Sequence, residues 1–412
     1  MVPLNLQVPL ADQFVDAPRC YDRKRADREL AALAAVAAAD ASLQALALCM
    51  LRPQVVAVLE GVFGASPYLT RLIVRYPHYL QRCLTAPFSA LTQNLADELR
   101  TSVQQEASRG AVARALRLYK TQVAMLVALA DLGGVWPVMT VTRFLSDAAD
   151  AAVEAAVAHL FQDALRRGDW LDSDPAPEQR SGYFVLAVGK HGAFELNYSS
   201  DIDLVIFYDA SLSQLSPSRE LQTFFVRLTR DLVKLLQEPT EDGYVFRTDL
   251  RLRPDPGSTA VALSTSAALN YYESVGQNWE RAALIKARVI AGDRSAGGRF
   301  LADLAPFIWR QNLDFAAIAD IAAMKRQIHA VRGFGTIAVA GHNIKVGRGG
   351  IREVEFFTQT QQLIAGGRQR EHEAQPMDLR APPQIDRIDR KHDHIGKNDK
   401  IAPVQIELPQ RF

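Results

Sequence analysis

From about Arg25 to Arg167, apolar residues recur three and four positions apart almost without a break, a spacing that predicts helix nearly throughout. Ser66-Pro67 reads as an N-cap followed by proline at the first helical position. Val112 to Ala130 and Thr140 to Leu165 predict two further long amphipathic helices. No fixed repeat period stands out, so the expected arrangement is an irregular bundle. The apolar window Leu30 to Leu51 is rich in alanine and interrupted by Asp40 and Gln44, and predicts a buried helical hairpin rather than a membrane span. Residues 172–180 are polar with two prolines, Pro175 and Pro177, and mark the expected domain boundary.

Beyond that boundary the period shortens. Tyr183 to Val188 is a short apolar run ending in Gly189 and reads as a buried strand; after a loop, Ile202 to Tyr208 reads as a second strand. Residues 219–237 predict an amphipathic helix, and Tyr244 to Arg253 a third strand. From about Ser264 the pattern is helical again, broken by the glycine-rich stretch Gly341 to Gly350. The expected class is α+β, with helical residues 1–171, a linker at 172–180, a sheet-containing domain at 181–295 and a helical segment at 296–370 that completes it. Residues 371–412 differ: Lys391, Lys397 and Lys400, a set of prolines and three histidines fall there, and apolar periodicity vanishes. They predict either a disordered tail or a frame-shifted, truncated end.

Composition narrows the function classes. The chain of 412 residues is 48% apolar, enough to form cores and to exclude disorder for most of its length. A net charge of +1 lacks the positive excess that bulk counterion release from nucleic acid needs, so no nucleic-acid partner is expected. Cys20, Cys49 and Cys83 form neither a CxxC pair nor a disulfide framework, which favours a reducing cytoplasm and argues against structural zinc. The N-terminus has no basic region before an apolar run, so neither a secretory signal nor a membrane anchor is expected.

Chemistry concentrates between residues 189 and 253. Asp201 and Asp203, two positions apart at a strand, point the same way and repel unless a cation sits between them. Mg²⁺ suits such a pair, because it takes one or two carboxylates plus phosphate oxygens and water. The turn Gly189-Lys190 offers backbone N–H groups and an ammonium to a phosphate. On the third strand Arg247, Asp249, Arg251 and Arg253 share one face, giving a third carboxylate and three guanidiniums for phosphate oxygens. The alternative for that face is an ordinary solvated strand surface.

The segments GKHGAFELNYSSDIDLVIFYD, FRTDLRLRPDPGSTA, NWERAALIKARVIAGD and NIKVGRGGIREVEFFTQ resemble the signature blocks of the bifunctional glutamine synthetase adenylyltransferase/adenylyl-removing enzymes. The resemblance runs from about residue 20 to 368 and implies a nucleotidyltransferase domain of the DNA polymerase β type. ELNYSSDIDL is similar to the adenylyl-removing half. That half uses inorganic phosphate to take AMP from an adenylylated tyrosine of glutamine synthetase, releasing ADP, with a PII signalling protein as a possible regulator. By this resemblance Asp201, Asp203 and Asp249 are the catalytic, Mg²⁺-binding carboxylates, and Ser199 and Ser200 precede the pair as in the family pattern. Gly189 and Lys190 match the turn, whereas His191, Ala193 and Phe194 stand where the pattern has Leu, Gly and a basic residue, and Arg348 replaces an apolar or proline residue. Ala193 is strained if its position needs positive φ. The family's ATP-using half would lie beyond residue 412, which favours truncation as the account of the tail. Two alternatives remain: ATP-dependent adenylyl transfer, and a non-catalytic remnant that binds glutamine synthetase or a regulator.

Further candidates carry weaker expectations. Glu353 and Glu355 do not share a helix face, so one is expected at the site and the other paired with an arginine. Glu280, Arg281, Lys286 and Arg288 read as one helix-like segment, serving either ion pairs or substrate phosphate. His191 and His342 are expected as surface loop residues.

Overall fold

The computed structural model describes residues 7–106, 108–309, 342–345 and 347–369. The chain divides between Arg368 and Gln369, and the unit spanning residues 1–368 holds the sheet and the helices packed on it. The expectation for residues 371–412, and part of that for 296–370, lies outside the described residues.

The first half is helical: α1 Arg23–Ala39, α2 Gln44–Cys49, α3 Pro53–Ala65, α4 Pro67–Arg75, α5 Pro77–Thr85, α6 Phe88–Gln105, α7 Arg109–Leu132 and α8 Val138–Arg166. Ser66 caps α4 as its sequence predicts, accepting from the Leu69 N–H, with Pro67 at the first helical position. The hairpin expected within Leu30–Leu51 is present, with a bend of 114° between its two arms. Leu33, Ala37, Leu46 and Cys49 are buried, but Val36 and Leu48 are exposed, so only one face is covered. No single helix among the described residues is long and apolar enough to cross a membrane.

A mixed sheet comes next, built from β1 Tyr183–Val188, β2 Ile202–Tyr208, β3 Thr248–Asp249, β4 Leu263–Ser264 and β5 Arg288–Gly292. The order is β3-β2-β1-β5, with β4 also paired to β2. β1 runs antiparallel to β2 and β5, whereas β3 and β4 run parallel to β2. Alternation sorts the sheet's side chains onto two covered faces. Tyr183, Val185, Ala187, Leu204 and Ile206 join the core of the helical half, including α8 and α10 Leu221–Gln237. Phe184, Leu186, Val205 and Phe207 pack instead with α11 Thr265–Ser274 and α13 Arg294–Ile308. A continuous apolar core therefore joins the helical half to the sheet past residues 172–180. The remaining described helices are the turn α9 Gly189–Gly192, α12 Asn278–Leu284 and α14 Ile351–Gln369.

Two expectations need correction. The third strand is only Thr248–Asp249, not Tyr244–Arg253. Val245 and Phe246 donate their N–H groups to Leu236 O at the end of α10, and Asp249 accepts from the Arg251 N–H at 2.8 Å, turning the chain out of the sheet. The stretch from Ser264 is not purely helical: β5 occupies Arg288–Gly292, because β1 needs a second neighbour to pair its other edge.

Candidate functional site

Strand register assembles the carboxylates. Val188, the last residue of β1, lies opposite Asp203 on β2, and Asp203 lies opposite Asp249 on β3. Gly189 comes immediately after Val188 with φ +59°, a left-handed conformation that suits glycine. A Cβ there would stand 2.6 Å from Asp203 Oδ2, so the missing side chain keeps open the space beside that carboxylate. Burial, with the charges of Asp249 and Asp201 adding to it, pushes the Asp203 carboxyl up to about 6. Lys345 and Arg251 oppose that rise.

A cleft of about 890 Å³ opens here. It contains Gly189, Lys190, Ser199, Ser200, Asp201, Asp203, Arg247, Asp249 and Arg251, so nearly all the predicted site residues meet. Asn197 shapes the loop before the aspartates: its Oδ1 accepts from Ser200 Oγ at 3.0 Å and from the Ser199 N–H at 3.1 Å. Arg247 donates to Ser199 O and to Tyr244 Oη, linking this loop to the segment before β3. Arg251 embraces Asp249, its Nε lying 3.0 Å from each carboxylate oxygen, and holds that carboxyl below its ordinary value. Both Asp249 oxygens are thus engaged, and among the described residues no three His, Cys, Asp or Glu side chains converge as a ready metal-binding group.

Arg253 does not reach the cleft. It donates to Leu250 O at 2.8 Å, Pro256 O at 2.8 Å and Thr259 O at 3.2 Å, closing the loop after β3, because the strand alternation assumed for it ends at Asp249. His191 is fully buried rather than at the surface, since its ring packs behind the glycine turn and bonds Asp150. Ala193 has φ −83°, within the ordinary helical region; the positive φ of this loop, +60°, belongs to Phe194. Glu280 and Arg281 are buried on α12, and Arg288 lies on β5.

The far wall was less legible. Lys286 reaches Glu195 at 3.3 Å and Glu355 at 3.8 Å, so the expected partner of Glu355 is a lysine, not an arginine. Glu353 accepts from the Gly349 N–H at 2.7 Å, and both glutamates line the cleft. Lys345, Arg352 and Trp279 also line it and were not singled out for the site by their sequence pattern. A smaller cavity of about 370 Å³ between α6 and α7 contains none of the predicted site residues.

Carboxylates at the end of a mixed sheet, a glycine turn beside them and lysines and arginines around the rim equip this α+β protein to handle phosphate groups. The chain belongs to the glutamate-ammonia ligase adenylyltransferase family, whose model matches residues 56–303. A model for PII-uridylyltransferase matches residues 320–392. Similar curated proteins are bifunctional glutamine synthetase adenylyltransferase/adenylyl-removing enzymes. That of Bradyrhizobium diazoefficiens is 50% identical over 372 residues, covering 89% of this chain and 37% of the relative. That of Rhodopseudomonas palustris is 49% identical over 368 residues, with the same coverage of 89% and 37%. That of Xanthobacter autotrophicus is 55% identical over 314 residues, covering 76% and 32%. The chain thus spans about a third of the length of these relatives.

Proposed function

We propose that the cleft is a nucleotidyltransferase site of the DNA polymerase β type that removes AMP from adenylylated tyrosine of glutamine synthetase by phosphorolysis. The observation that carries this reading is the register Val188–Asp203–Asp249, which sets the glycine turn and two carboxylates side by side on adjacent strands. The names of the relatives supply the substrate class, and the ELNYSSDIDL block favours removal over addition.

Mg²⁺ fits the carboxylates Asp201 and Asp203, which both line the cleft, Asp203 beside the space that a Cβ at Gly189 would fill. Asp249 would join once Arg251 turned from it to a phosphate oxygen. Bound there, the ion would offset the negative charge gathering on the phosphoryl oxygens. In the proposed reaction an oxygen of inorganic phosphate attacks the adenylyl phosphorus and the bond from phosphorus to the tyrosine oxygen breaks. ADP forms, and the phenolate leaves and takes a proton from water. Lys190, Arg247 and Arg251 contribute by orienting the two phosphate groups in line.

The test is ADP formation from adenylylated glutamine synthetase, Mg²⁺ and phosphate, without ATP, by the chain and by Asp203→Asn. ADP from the parent and not from the variant supports the reading. Adenylylation that requires ATP would assign the opposite direction, and binding of glutamine synthetase without turnover would make the chain a binding module.

A further inference from the structure

The loop after β1 is held from behind by α8. Arg143, Ser146, Asp150 and Glu154 stand three and four positions apart and so occupy one side of that helix. Arg143 stacks on the Phe194 ring, its guanidinium carbon 3.9 Å from the ring centroid. Ser146 Oγ accepts from the Leu196 N–H at 3.2 Å. Asp150 Oδ1 lies 2.7 Å from His191 Nε2. Glu154 Oε1 accepts from Arg294 at 3.1 Å, just beyond β5.

Arg288 locks the same loop from the sheet. Its guanidinium donates to both oxygens of Asp150, to His191 O at 3.0 Å and to Gly192 O at 3.2 Å. Its guanidinium carbon also lies 3.9 Å from the centroid of the Phe194 ring. Gly192 lies so close to the neighbouring backbone that a Cβ there would stand 2.1 Å from Lys286 O. A positive φ at a bulky residue such as Phe194 persists only where its surroundings over-determine it, and two guanidiniums supply that constraint.

His191 sits at the centre of this arrangement with no exposed surface. A carboxylate only accepts, so Nε2 donates to Asp150, while Nδ1 is buried without a hydrogen-bond partner. A fully buried ring that leaves one nitrogen unpaired carries a desolvation cost. A purely apolar side chain of similar size would avoid that cost, so the contact with Asp150 has to supply something other than packing. Lys190, the adjacent residue, lines the cleft.

We propose that His191 is a positioning residue: through Asp150 and Arg288 it fixes the loop 189–196 against α8, so that Lys190 is presented to the phosphate in the cleft. The inference rests on the functional reading above, and makes the helical half a working part of the site.

The experiment compares His191→Leu, His191→Gln and Asp150→Asn in the full chain, at a temperature well below melting. Glutamine places an N–H where Nε2 stands; leucine keeps the volume without the bond. Two readouts are taken: the phosphate KM and kcat of phosphorolysis, and amide exchange across residues 189–196. His191→Leu and Asp150→Asn are expected to raise the phosphate KM about 10-fold with a smaller change in kcat, and to speed exchange of the loop. His191→Gln is expected to restore both. A lowered melting temperature with unchanged KM and unchanged loop exchange would overturn the proposal, since a structural role alone would do that. If His191→Leu does not fold, Asp150→Asn carries the same comparison. If the parent shows no turnover, the functional reading fails while the exchange comparison still judges the positioning.

Discussion

Asp203 on β2 and Asp249 on β3 face each other in a parallel pair of strands only two residue pairs long, and their surroundings push them in opposite directions. Burial raises Asp203 to about 6, while the guanidinium of Arg251 keeps Asp249 low. One side of the cluster is therefore short of positive charge and the other is supplied by a single, largely exposed arginine.

Removing the charge on the deficient side should abolish chemistry and spare the fold. Asp201→Asn and Asp203→Asn are each expected to reduce phosphorolysis by at least about 100-fold. The melting temperature should stay the same or rise, because each change relieves carboxylate repulsion. Turnover and thermal melting on the same samples check this.

Arg251 and Arg253 should separate. Arg251→Ala removes an exposed guanidinium from the cleft and is expected to raise the phosphate KM by about 10-fold, through loss of a charge-assisted bond to phosphate. Arg253→Ala frees three backbone carbonyls of the 250–259 loop and should lower the melting temperature more than it changes the phosphate KM. An equal effect of both variants on the phosphate KM would contradict this division.

The contrast between those arginines also shows what was legible in the sequence. The two runs Tyr183–Val188 and Ile202–Tyr208 are present as read, because a strand covered on both faces is apolar along nearly its whole length, with Asp203 at the site end the exception. The carboxylates were legible because two-residue spacing carries information on a strand. Arg253 was misplaced because nothing in an alternating pattern reveals that an aspartate side chain will turn the backbone two residues later. His191 was misread for a related reason: its partner Asp150 is 41 residues away on α8, and only packing brings them together. Lys345 and Arg352 lie far along the chain from the aspartates, so no local pattern joins them to the site, whereas Lys286, read as serving either ion pairs or phosphate, does line the cleft.

Gly189 should not tolerate a side chain. Gly189→Ala meets both a left-handed φ and a Cβ at 2.6 Å from Asp203 Oδ2. The expected outcome is a stability loss of about 1 kcal/mol and a larger proportional loss of turnover, because the displaced group is Asp203 itself. Denaturant melts and steady-state rates measure the two effects.

A pH effect is expected at Asp169, which joins the end of α8 to α10. Its buried carboxylate accepts from Arg219 at 2.7 Å, Arg227 at 3.1 Å and Arg167 at 3.3 Å. Burial works to raise its pKa, but the three guanidiniums together hold it below the ordinary value. A depressed native value means that ionisation stabilises the fold above pH about 4. That contribution is lost as pH falls through the native value. Asp169→Asn should therefore cost about 1–2 kcal/mol at pH 7, allowing for the half-exposed arginines. The gap between variant and parent should close in acid, as urea titrations from pH 7 down to pH 3 would register.

The most direct test tracks the phosphate itself. Adenylylated glutamine synthetase is incubated with the chain, Mg²⁺ and radiolabelled inorganic phosphate in the absence of ATP, and the nucleotide products are separated. Phosphorolysis in the Asp201–Asp203–Asp249 cleft predicts labelled ADP, formed in step with the loss of AMP from tyrosine and absent with Asp203→Asn. Unlabelled AMP as the product, or labelled ADP formed equally well by Asp203→Asn, would contradict it.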